Sequence, residues 1–388
     1  MHWRRPTNAG RRDGAERVAG RLANAPGTRQ DAPATQASFA VNPGRGGKGT
    51  VGTGVVCFGE LLLRLNAPGR ELLLQSPRLD VYVGGAEANV AVSLAHFGHS
   101  ASVVSVVPDT PLGAACIAEL RRHGVQTRHI NVAPGRMGLY FMAHGAGHRP
   151  SEIVYDRSDS AFALHAGDAV DWEAALAAAA WLHVSGITAA LGPRCAEAVL
   201  DALRAARSRG VRVSFDCNFR AKLWEAWNGD PGRVLRELAE QSDLLFADDR
   251  TLALMLGRSP TDEGPVERFQ RLSEEALATF SALQRVATTQ RVEHSVERHD
   301  LSAAMMSRNG LSLTRTYSME HIVDRIGTGD AFAAGVLHGC LTGMDDAAAL
   351  DFALAAACLK HTIPGDVNRV SVAQVQELLA GRGFAVRR

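Results

Sequence analysis

The sequence lacks the marks of several protein classes. Its 388 residues contain no run of about 18 apolar residues, so no membrane span is predicted. The six cysteines form no C-x-x-C pair and no H-E-x-x-H segment occurs, so the common zinc-site patterns are absent. Lys and Arg total 42 against 41 Asp and Glu, and the resulting net charge of +1 provides no bulk attraction to nucleic acid. We therefore expect neither a membrane nor a nucleic acid as a partner.

The composition, with 46% hydrophobic and 21% charged residues, is typical of a globular protein. Because no disulfide pattern is present, we expect the cysteines to be small buried side chains in a reducing compartment, which indicates a cytoplasmic protein. Residues 1–54 differ from the rest, with nine basic and three acidic residues and few large apolar ones. They are predicted to be a disordered basic extension, with a transit peptide as the alternative. The folded domain is expected over residues 55–388.

Short apolar segments alternate with amphipathic helices from residue 55 onward. The predicted strands are residues 55–58, 102–107, 181–184, 211–215, 244–246 and 286–288. The predicted helices are residues 86–97, 112–122, 172–180, 194–209, 231–240, 266–283 and 331–341. This alternation predicts an α/β fold with a parallel sheet covered by helices on both faces.

Two regions with β character, residues 61–83 and 138–157, break the alternation. They predict either a small separate sheet or ordinary edge hairpins. A separate sheet would serve naturally as a lid over the carboxyl ends of the parallel strands, where open α/β sheets bind ligands.

The strongest chemical signal is the run from Asp324 to Asp330, in which Gly327 and Gly329 flank Thr328 just before a helix. Glycines allow backbone N–H groups to converge, and a helix start carries partial positive charge, so this turn is predicted to bind phosphoryl oxygens. Asp330 in the first turn is either a simple helix cap or the base that deprotonates an alcohol during phosphoryl transfer.

Two weaker signals accompany this turn. Gly84 and Gly85 open a helix on which Asn89 projects one turn further, either towards a ligand or towards solvent. Asp216 and Asn218 follow a predicted buried strand, at the edge where parallel sheets bind ligands.

These motifs resemble the two signatures of the ribokinase-like (PfkB) family of carbohydrate kinases. Gly84-Gly85-x-x-x-Asn89 is similar to the N-terminal signature, and Asp324-x-x-Gly327-x-Gly329-Asp330 is similar to the C-terminal one. The resemblance covers about residues 55–380 and is greatest to the 2-keto-3-deoxygluconate kinases. It implies a Rossmann-like three-layer α/β/α ribokinase-type domain with a small β-sheet lid.

The resemblance also implies roles for individual residues. Asp330 would be the catalytic base, and the anion hole for the γ-phosphate of ATP would be formed by Gly327, Thr328 and Gly329. The substrate residues would be Gly84, Gly85, Asn89, Tyr140, Tyr155, Arg157, Arg220 and Asp366. ATP would bind with Mg²⁺.

Two arginines favour a sugar acid over a neutral sugar, because a guanidinium matches the geometry of a carboxylate. Arg157 would reach the substrate from the lid and Arg220 from the main sheet. The alternative is that each pairs with a neighbouring acid, such as Asp156 or Asp216. Arg64 stands where many relatives that use neutral sugars have an acidic residue, which also favours an anionic substrate.

The sequence departs from the family pattern at the nucleotide site. The family's Asn-x-x-Glu motif aligns with Asp248 to Thr251, so one carboxylate is missing, and residues 287–291 lack the usual glycine pair. The sequence therefore does not identify the metal ligands, for which Asp248 and Asp324 are the candidates. It also does not decide whether a monovalent cation binds near Asp324.

We expect an ATP-dependent kinase that phosphorylates 2-keto-3-deoxygluconate at its terminal hydroxyl to the 6-phosphate. The alternatives are a kinase for a neutral ketose such as fructose, or a sugar or nucleotide sensor without turnover. A nicotinamide-dependent dehydrogenase is disfavoured because no G-x-G-x-x-G follows the first strand. By analogy with relatives, an exposed lid edge would favour a homodimer.

Overall fold

The computed structural model describes residues 52–168, 170–259 and 261–382. Most of the expected disordered extension, residues 1–51, lies outside these ranges, and the first strand begins at Gly54. Within the described ranges, no helix combines the length and the apolar character needed to cross a bilayer.

The fold is built from fourteen strands and thirteen helices within the described ranges. The strands are β1 (Gly54–Phe58), β2 (Leu62–Asn66), β3 (Asp80–Gly84), β4 (Ala101–Pro108), β5 (Gln126–Ala133), β6 (Gly138–Ala143), β7 (Glu152–Asp156), β8 (Ala179–Ser185), β9 (Arg212–Asp216), β10 (Leu244–Phe246), β11 (Arg285–Ser295), β12 (Arg298–Ser307), β13 (Gly310–Leu313) and β14 (Tyr317–Met319). The helices are α1 (Ala86–His96), α2 (Pro111–Arg122), α3 (Ala161–His165), α4 (Trp172–Leu176), α5 (Gly186–Ala189), α6 (Pro193–Ser208), α7 (Ala221–Glu225), α8 (Pro231–Glu240), α9 (Asp249–Leu256), α10 (Pro265–Thr279), α11 (Thr328–Thr342), α12 (Asp346–Lys360) and α13 (Val372–Leu379).

The main sheet has a parallel centre in the order β11-β10-β9-β8-β1-β4-β5. Strand β12 pairs antiparallel with β11, and β13 and β14 pair antiparallel with β12, which makes ten strands in all. Because the central strands are parallel, their carboxyl ends lie along one edge. Ser185, Asp216 and Phe246 are register partners at this edge.

Side chains of the central strands alternate between two cores. In β1, Val56 and Phe58 belong to one core, whereas Val55 and Cys57 belong to the other. Buried residues of α6, α8 and α10 complete the first core, and those of α1, α11 and α12 complete the second. Helices therefore cover both faces, and the predicted three-layer α/β/α fold is confirmed. All six cysteines are free, and all but the partly exposed Cys340 are buried.

A separate four-stranded sheet, in the order β3-β2-β6-β7, forms the lid. Strand β2 pairs antiparallel with β3 and parallel with β6, and β7 pairs antiparallel with β6. Leu62, Tyr140 and Met142 form its buried cluster, against which Tyr155 and Ile326 pack. Because Ile326 directly precedes Gly327, the lid contacts the turn that carries the strongest sequence signal.

Some boundaries differ from the prediction. The predicted helix over residues 172–180 is wrong in its second half, because the chain leaves α4 after Leu176 and β8 begins at Ala179. Pairing of β8 with β1 and β9 overrides the helix preference of these alanines. Helix α10 ends at Thr279 rather than at residue 283, and residues 71–79 contain no strand.

Candidate active site

A tight turn begins α11 at the carboxyl edge of the main sheet. Its N-cap residue, Gly327, has a φ of 76°, which glycine adopts at little cost. A Cβ atom at Gly327 would lie 1.8 Å from the carbonyl oxygen of Asp366, so no larger residue fits. The first N–H groups of a helix have no partner within the helix, so the turn over residues 327–329 has the geometry of an anion-binding site.

Asp330 lies in the first turn of α11 and is held from α1. The Asn89 Nδ2 donates a 2.7 Å hydrogen bond to Asp330 Oδ2. Burial raises the pKa of Asp330 to about 7; the Asn89 hydrogen bond lowers it, and the neighbouring carboxyl groups of Asp216 and Asp366 raise it further. A carboxyl group with a near-neutral pKa suits a general base, and its bond to Asn89 distinguishes it from a simple helix cap.

Asn89 is buried, so the interpretation of this residue as a solvent-facing polar group is wrong. Its side-chain oxygen, Oδ1, has no hydrogen-bond partner among the described residues. An unsatisfied buried amide oxygen is costly, and a ligand hydroxyl could donate to it.

A cavity of about 330 Å³ lies between the lid and the Gly327 turn. It brings together most of the predicted site residues: Gly85, Asn89, Tyr140, Tyr155, Arg157, Arg220, Gly327, Thr328, Gly329, Asp330 and Asp366. Gly84 lies behind this lining, where a Cβ atom would be 2.3 Å from Asp366 Oδ2. Gly84 therefore leaves room for the Asp366 carboxylate rather than lining the cavity itself.

Asp366 belongs to a buried network that joins the lid to the Gly327 turn. The Tyr140 hydroxyl donates to Asp366 Oδ2 at 2.6 Å, and Arg64 Nη1 donates to Asp366 Oδ1 at 3.1 Å. Arg64 Nη2 also donates to Asp324 Oδ2 at 2.8 Å. Arg64 is fully buried and shared between two carboxylates, so its charge is compensated inside the protein and does not favour an anionic substrate as expected.

Both oxygens of Asp324 are occupied by the protein. The backbone N–H of Ile326 donates to Oδ1, and the N–H of Gly365 and the Arg64 guanidinium donate to Oδ2. With this many donors around it, Asp324 holds the turn together, and we do not expect it to ligate a metal.

Arg157 pairs with an acid that the sequence did not indicate. Its Nη2 lies 2.6 Å from Glu60 Oε2, and both side chains are buried. Ser160 donates to the other Glu60 oxygen, while Asp156 pairs with Arg136 instead. Arg157 still lines the cavity, but its charge is largely compensated by Glu60.

Arg220 differs from Arg157 in this respect. Its side chain is exposed, and within the described residues its guanidinium donates to the carbonyl oxygen of Phe219 at 2.8 Å and forms no ion pair. Arg291 and Arg325 also line the cavity, and the sequence had not indicated either of them. Arg325 pairs with Glu293, and Arg291 Nη1 lies 3.9 Å from the same carboxylate. Among the described residues, Arg220 is therefore the cavity guanidinium without an acidic partner.

A second cavity of about 760 Å³ adjoins the first. Asp216, Arg220 and Gly329 line both, so the two spaces meet at the Gly327 turn. The larger cavity extends over Phe246 and the start of α9. Asp248 caps that helix by accepting from the Thr251 N–H at 2.8 Å.

No group of three or more His, Cys, Asp or Glu side chains that could hold a metal occurs among the residues described. Asp216 and Asp248 nevertheless both line the larger cavity. Burial raises the pKa of Asp216 to about 6; the Arg220 charge lowers it, and the Asp248 carboxylate adds to the increase.

Comparisons of the sequence and the fold with known proteins identify a family. The model of the pfkB family carbohydrate kinases matches residues 53–371. The 2-dehydro-3-deoxygalactonokinase of Haloferax volcanii is 32% identical over 337 residues, which span 86% of this chain and 99% of the relative. Among solved structures, the 2-dehydro-3-deoxygluconokinase of Thermotoga maritima is 38% identical with a TM-score of 0.80, covering 85% of this chain and 99% of that chain.

A more distant structure shares the fold alone. The fructokinase of Xylella fastidiosa with bound ATP is 22% identical with a TM-score of 0.70, over 85% of this chain and 99% of that chain. The matched family model covers both cavities and the Gly327 turn between them. The chain therefore belongs to the pfkB family of carbohydrate kinases.

Proposed function

We propose that this carbohydrate kinase transfers the γ-phosphoryl group of ATP to the C6 hydroxyl of 2-keto-3-deoxygluconate. The observation that carries the proposal is the juxtaposition of Asp330 with the Gly327 turn, between one cavity of sugar size and one of nucleotide size. Phosphoryl transfer to an alcohol requires a base for the hydroxyl and donors for the transferring group. Asp330 would serve as the base, and the backbone N–H groups of the Gly327 turn would serve as the donors.

In the proposed reaction, the C6 hydroxyl oxygen attacks the γ-phosphorus, and the bond from that phosphorus to the β–γ bridging oxygen breaks. The hydroxyl proton passes to Asp330, which Asn89 orients through the 2.7 Å hydrogen bond. Backbone N–H groups of Gly327, Thr328 and Gly329 stabilise the negative charge on the transferring group. Asp366 and Asn89 accept hydrogen bonds from hydroxyls of the sugar, and ADP is the leaving group.

Arg220 supports a substrate with a carboxylate. Its guanidinium is exposed, lines the sugar cavity and forms no ion pair within the described residues, so an anion can bind there without breaking an existing pair. Tyr155 lines the same cavity and can donate a further hydrogen bond. Arg157 adds positive potential at the cavity wall, although Glu60 offsets most of it.

Asp216 and Asp248 fit the needs of Mg²⁺. This ion is usually held by one or two carboxylates together with nucleotide phosphates and water, so the missing Glu of the family motif does not empty the site. We propose these two residues as its protein ligands, rather than Asp324. Bound Mg²⁺ would neutralise charge between the nucleotide phosphates.

A second candidate substrate is 2-keto-3-deoxygalactonate, which is the C4 epimer and carries the same carboxylate. The similarity to the Haloferax volcanii enzyme favours it. The carboxylate-binding argument for Arg220 applies equally to both epimers.

The test is a coupled assay of ADP formation with four sugars side by side: the two epimers, gluconate and fructose. We expect turnover of one or both epimers to exceed that of fructose by at least 100-fold in kcat/KM. Phosphorus NMR of the product should show a phosphomonoester at C6. A preference for fructose would replace the proposal with a neutral-ketose kinase, and ATP binding without turnover of any sugar would indicate a sensor.

A further inference from the structure

Lys360 is a buried cation beside the Gly327 turn that the proposed phosphoryl transfer leaves without a role. The sequence has three lysines, Lys48, Lys222 and Lys360. Lys360 is the last residue of α12 and is 0% exposed. Lysine is almost never fully buried unless it is paired, so its burial here calls for a reason.

The lysine side chain lies next to the turn. A Cβ atom added at Gly327 would be 3.5 Å from Lys360 Cε, so only the space of one absent side chain separates the Lys360 stem from the N-cap of α11. Its ammonium group donates to the carbonyl oxygen of Ile363 at 3.0 Å. An ammonium group can donate three hydrogen bonds, and this is the one it makes to described residues.

This hydrogen bond is the first link of a chain that ends at the anion-binding turn. Ile363 belongs to the segment that follows α12, and two residues later Gly365 donates its N–H to Asp324 Oδ2. Asp324 in turn accepts from the N–H of Ile326, which directly precedes Gly327. Lys360 therefore fixes the segment that supports the turn from behind.

The charges around Lys360 leave an excess of carboxylates. The negative charges of Asp324, Asp330 and Asp366 attract the Lys360 ammonium group, and the positive charge of Arg64, on strand β2 of the lid, repels it. His144 and His361 also lie within its electrostatic reach. Burial lowers the pKa of Lys360 to about 8, while the three carboxylates raise it, so the ammonium form still predominates at pH 7. Loss of this charge would make the turn more negative before any phosphate binds.

On the basis of the phosphoryl transfer proposed above, we propose that the Lys360 ammonium is a fixed internal cation that positions the Gly327 turn and compensates the carboxylates around it. Its positive charge would take the place of a monovalent metal ion near Asp324, whose presence the sequence did not decide. Lys360 is a positioning residue, because it acts on the substrate phosphoryl group through the turn and not by contact.

The first test uses the wild-type enzyme. Turnover should change by less than about twofold between buffers that contain potassium, sodium or only Tris as the cation, at equal ionic strength. A requirement of the wild type for potassium would overturn the proposal.

The second test removes the cation. In Lys360→Met, which keeps an apolar stem, kcat should fall at least tenfold while KM for the sugar changes less than threefold. Lys222→Met is the matched control, because Lys222 is exposed on α7 and lines neither cavity, and it should behave as the wild type. Full activity of Lys360→Met would show that the charge is not needed.

A third measurement separates charge from packing. In Lys360→Ala, methylammonium or ammonium chloride should restore kcat at least fivefold, whereas choline chloride, whose cation is too large for the space, should not. A loss of activity that ammonium ions leave unchanged would assign Lys360 a purely structural role. All comparisons use one sugar that the wild type turns over, so the result does not depend on which sugar is the natural one.

Discussion

The side-chain amide of Asn89 donates a 2.7 Å hydrogen bond to the carboxylate of Asp330, 241 positions further along the chain. This contact joins α1 to α11 and so connects the two family signatures in space. Each residue depends on the other, because Asn89 orients the Asp330 carboxylate and Asp330 in turn satisfies the buried Asn89 Nδ2.

Asp330→Asn should abolish turnover while stabilising the protein. The asparagine keeps the size of the side chain but cannot accept the hydroxyl proton, so kcat should fall by about 100-fold or more. Because burial raises the pKa of Asp330 to about 7, its ionised form disfavours folding. Above pH 7 the wild type should therefore be less stable than the variant by roughly 2–4 kcal/mol, less where cavity water screens the charge. Urea unfolding at pH 8 tests the expected gain in stability, and ADP formation measured in parallel tests the expected loss of turnover.

Equal stability at pH 8 would show that Asp330 is already well solvated in the wild type. Near-full activity of Asp330→Asn would remove this residue from the mechanism.

Asn89→Ala should shift the pH profile of the enzyme. The hydrogen bond from Asn89 lowers the pKa of Asp330, so its removal should raise that pKa further above 7. Since the base must be ionised, the acidic limb of kcat/KM should move to higher pH. Activity lost at pH 7 should then recover in part by pH 8, whereas at higher pH the loss of the Lys360 proton should lower it again, because burial lowers the pKa of Lys360 to about 8. A uniform loss across the pH range would assign Asn89 to substrate binding alone.

Arg220→Met should alter the choice of substrate. The Arg220 side chain is exposed in the empty site, so the estimate applies once bound sugar shields the pair from water. A charged hydrogen-bond pair shielded in this way is worth about 2 kcal/mol or more when one partner is removed, so kcat/KM for the sugar acid should fall about 30-fold or more. Any side activity on fructose should fall far less, because fructose has no carboxylate to leave unpaired. Arg194→Met, at an exposed surface position paired with Asp168, is the control and should change neither rate. An equal loss on both sugars would mean that Arg220 serves the nucleotide instead.

Arg157→Met should lower the stability of the protein more than it changes the choice of substrate. It leaves Glu60 buried and without its ion-pair partner, a change that costs roughly 3–5 kcal/mol in the free energy of unfolding. Adding Glu60→Gln should recover part of this loss, because the uncompensated charge is then gone. Denaturant unfolding of the two single variants and the double variant measures the coupling. A single Arg157→Met variant of wild-type stability would contradict the buried pair.

The sequence predicted the parts of the fold whose pattern is strong. The central parallel strands are short apolar runs, and Gly85 and Gly327 of the two signatures adopt positive φ angles that other residues rarely adopt. The antiparallel strands β12 to β14 and the edge strand β5 were not predicted. Strand β5 mixes buried with exposed residues, and the apolar run of β12, residues 303–306, consists of alanine and methionine, which favour helices. Helix α12 is rich in alanine and weakly amphipathic, and it too was not recognised.

The site was predictable in its composition but not in its pairings. Eleven predicted residues line one cavity. Six of them belong to the two signatures, which specify local backbone geometry, and the other five were predicted from the family resemblance alone. The partners of Arg64 and Arg157 depend on contacts between residues far apart in the chain, 302 positions in the case of Arg64 and Asp366. No local pattern carries that information. A lysine that ends an apolar run, as Lys360 does after residues 352–359 of α12, was the available signal for the internal cation.

The buried pairing of Arg64 has a consequence for how the sugar enters and leaves. Arg64 lies on strand β2 of the lid, whereas Asp324 and Asp366 flank the turn of the main domain. Pulling this guanidinium away from both carboxylates would cost several kcal/mol, which is too much for a motion repeated in every catalytic cycle. If the lid opens, we therefore expect strand β2 to stay in place at Arg64 and the displacement to be greatest at β7, which carries Tyr155 and lies two strands away from β2. Product release should accordingly respond to substitutions on β7 and be nearly insensitive to those beside the pivot on β3.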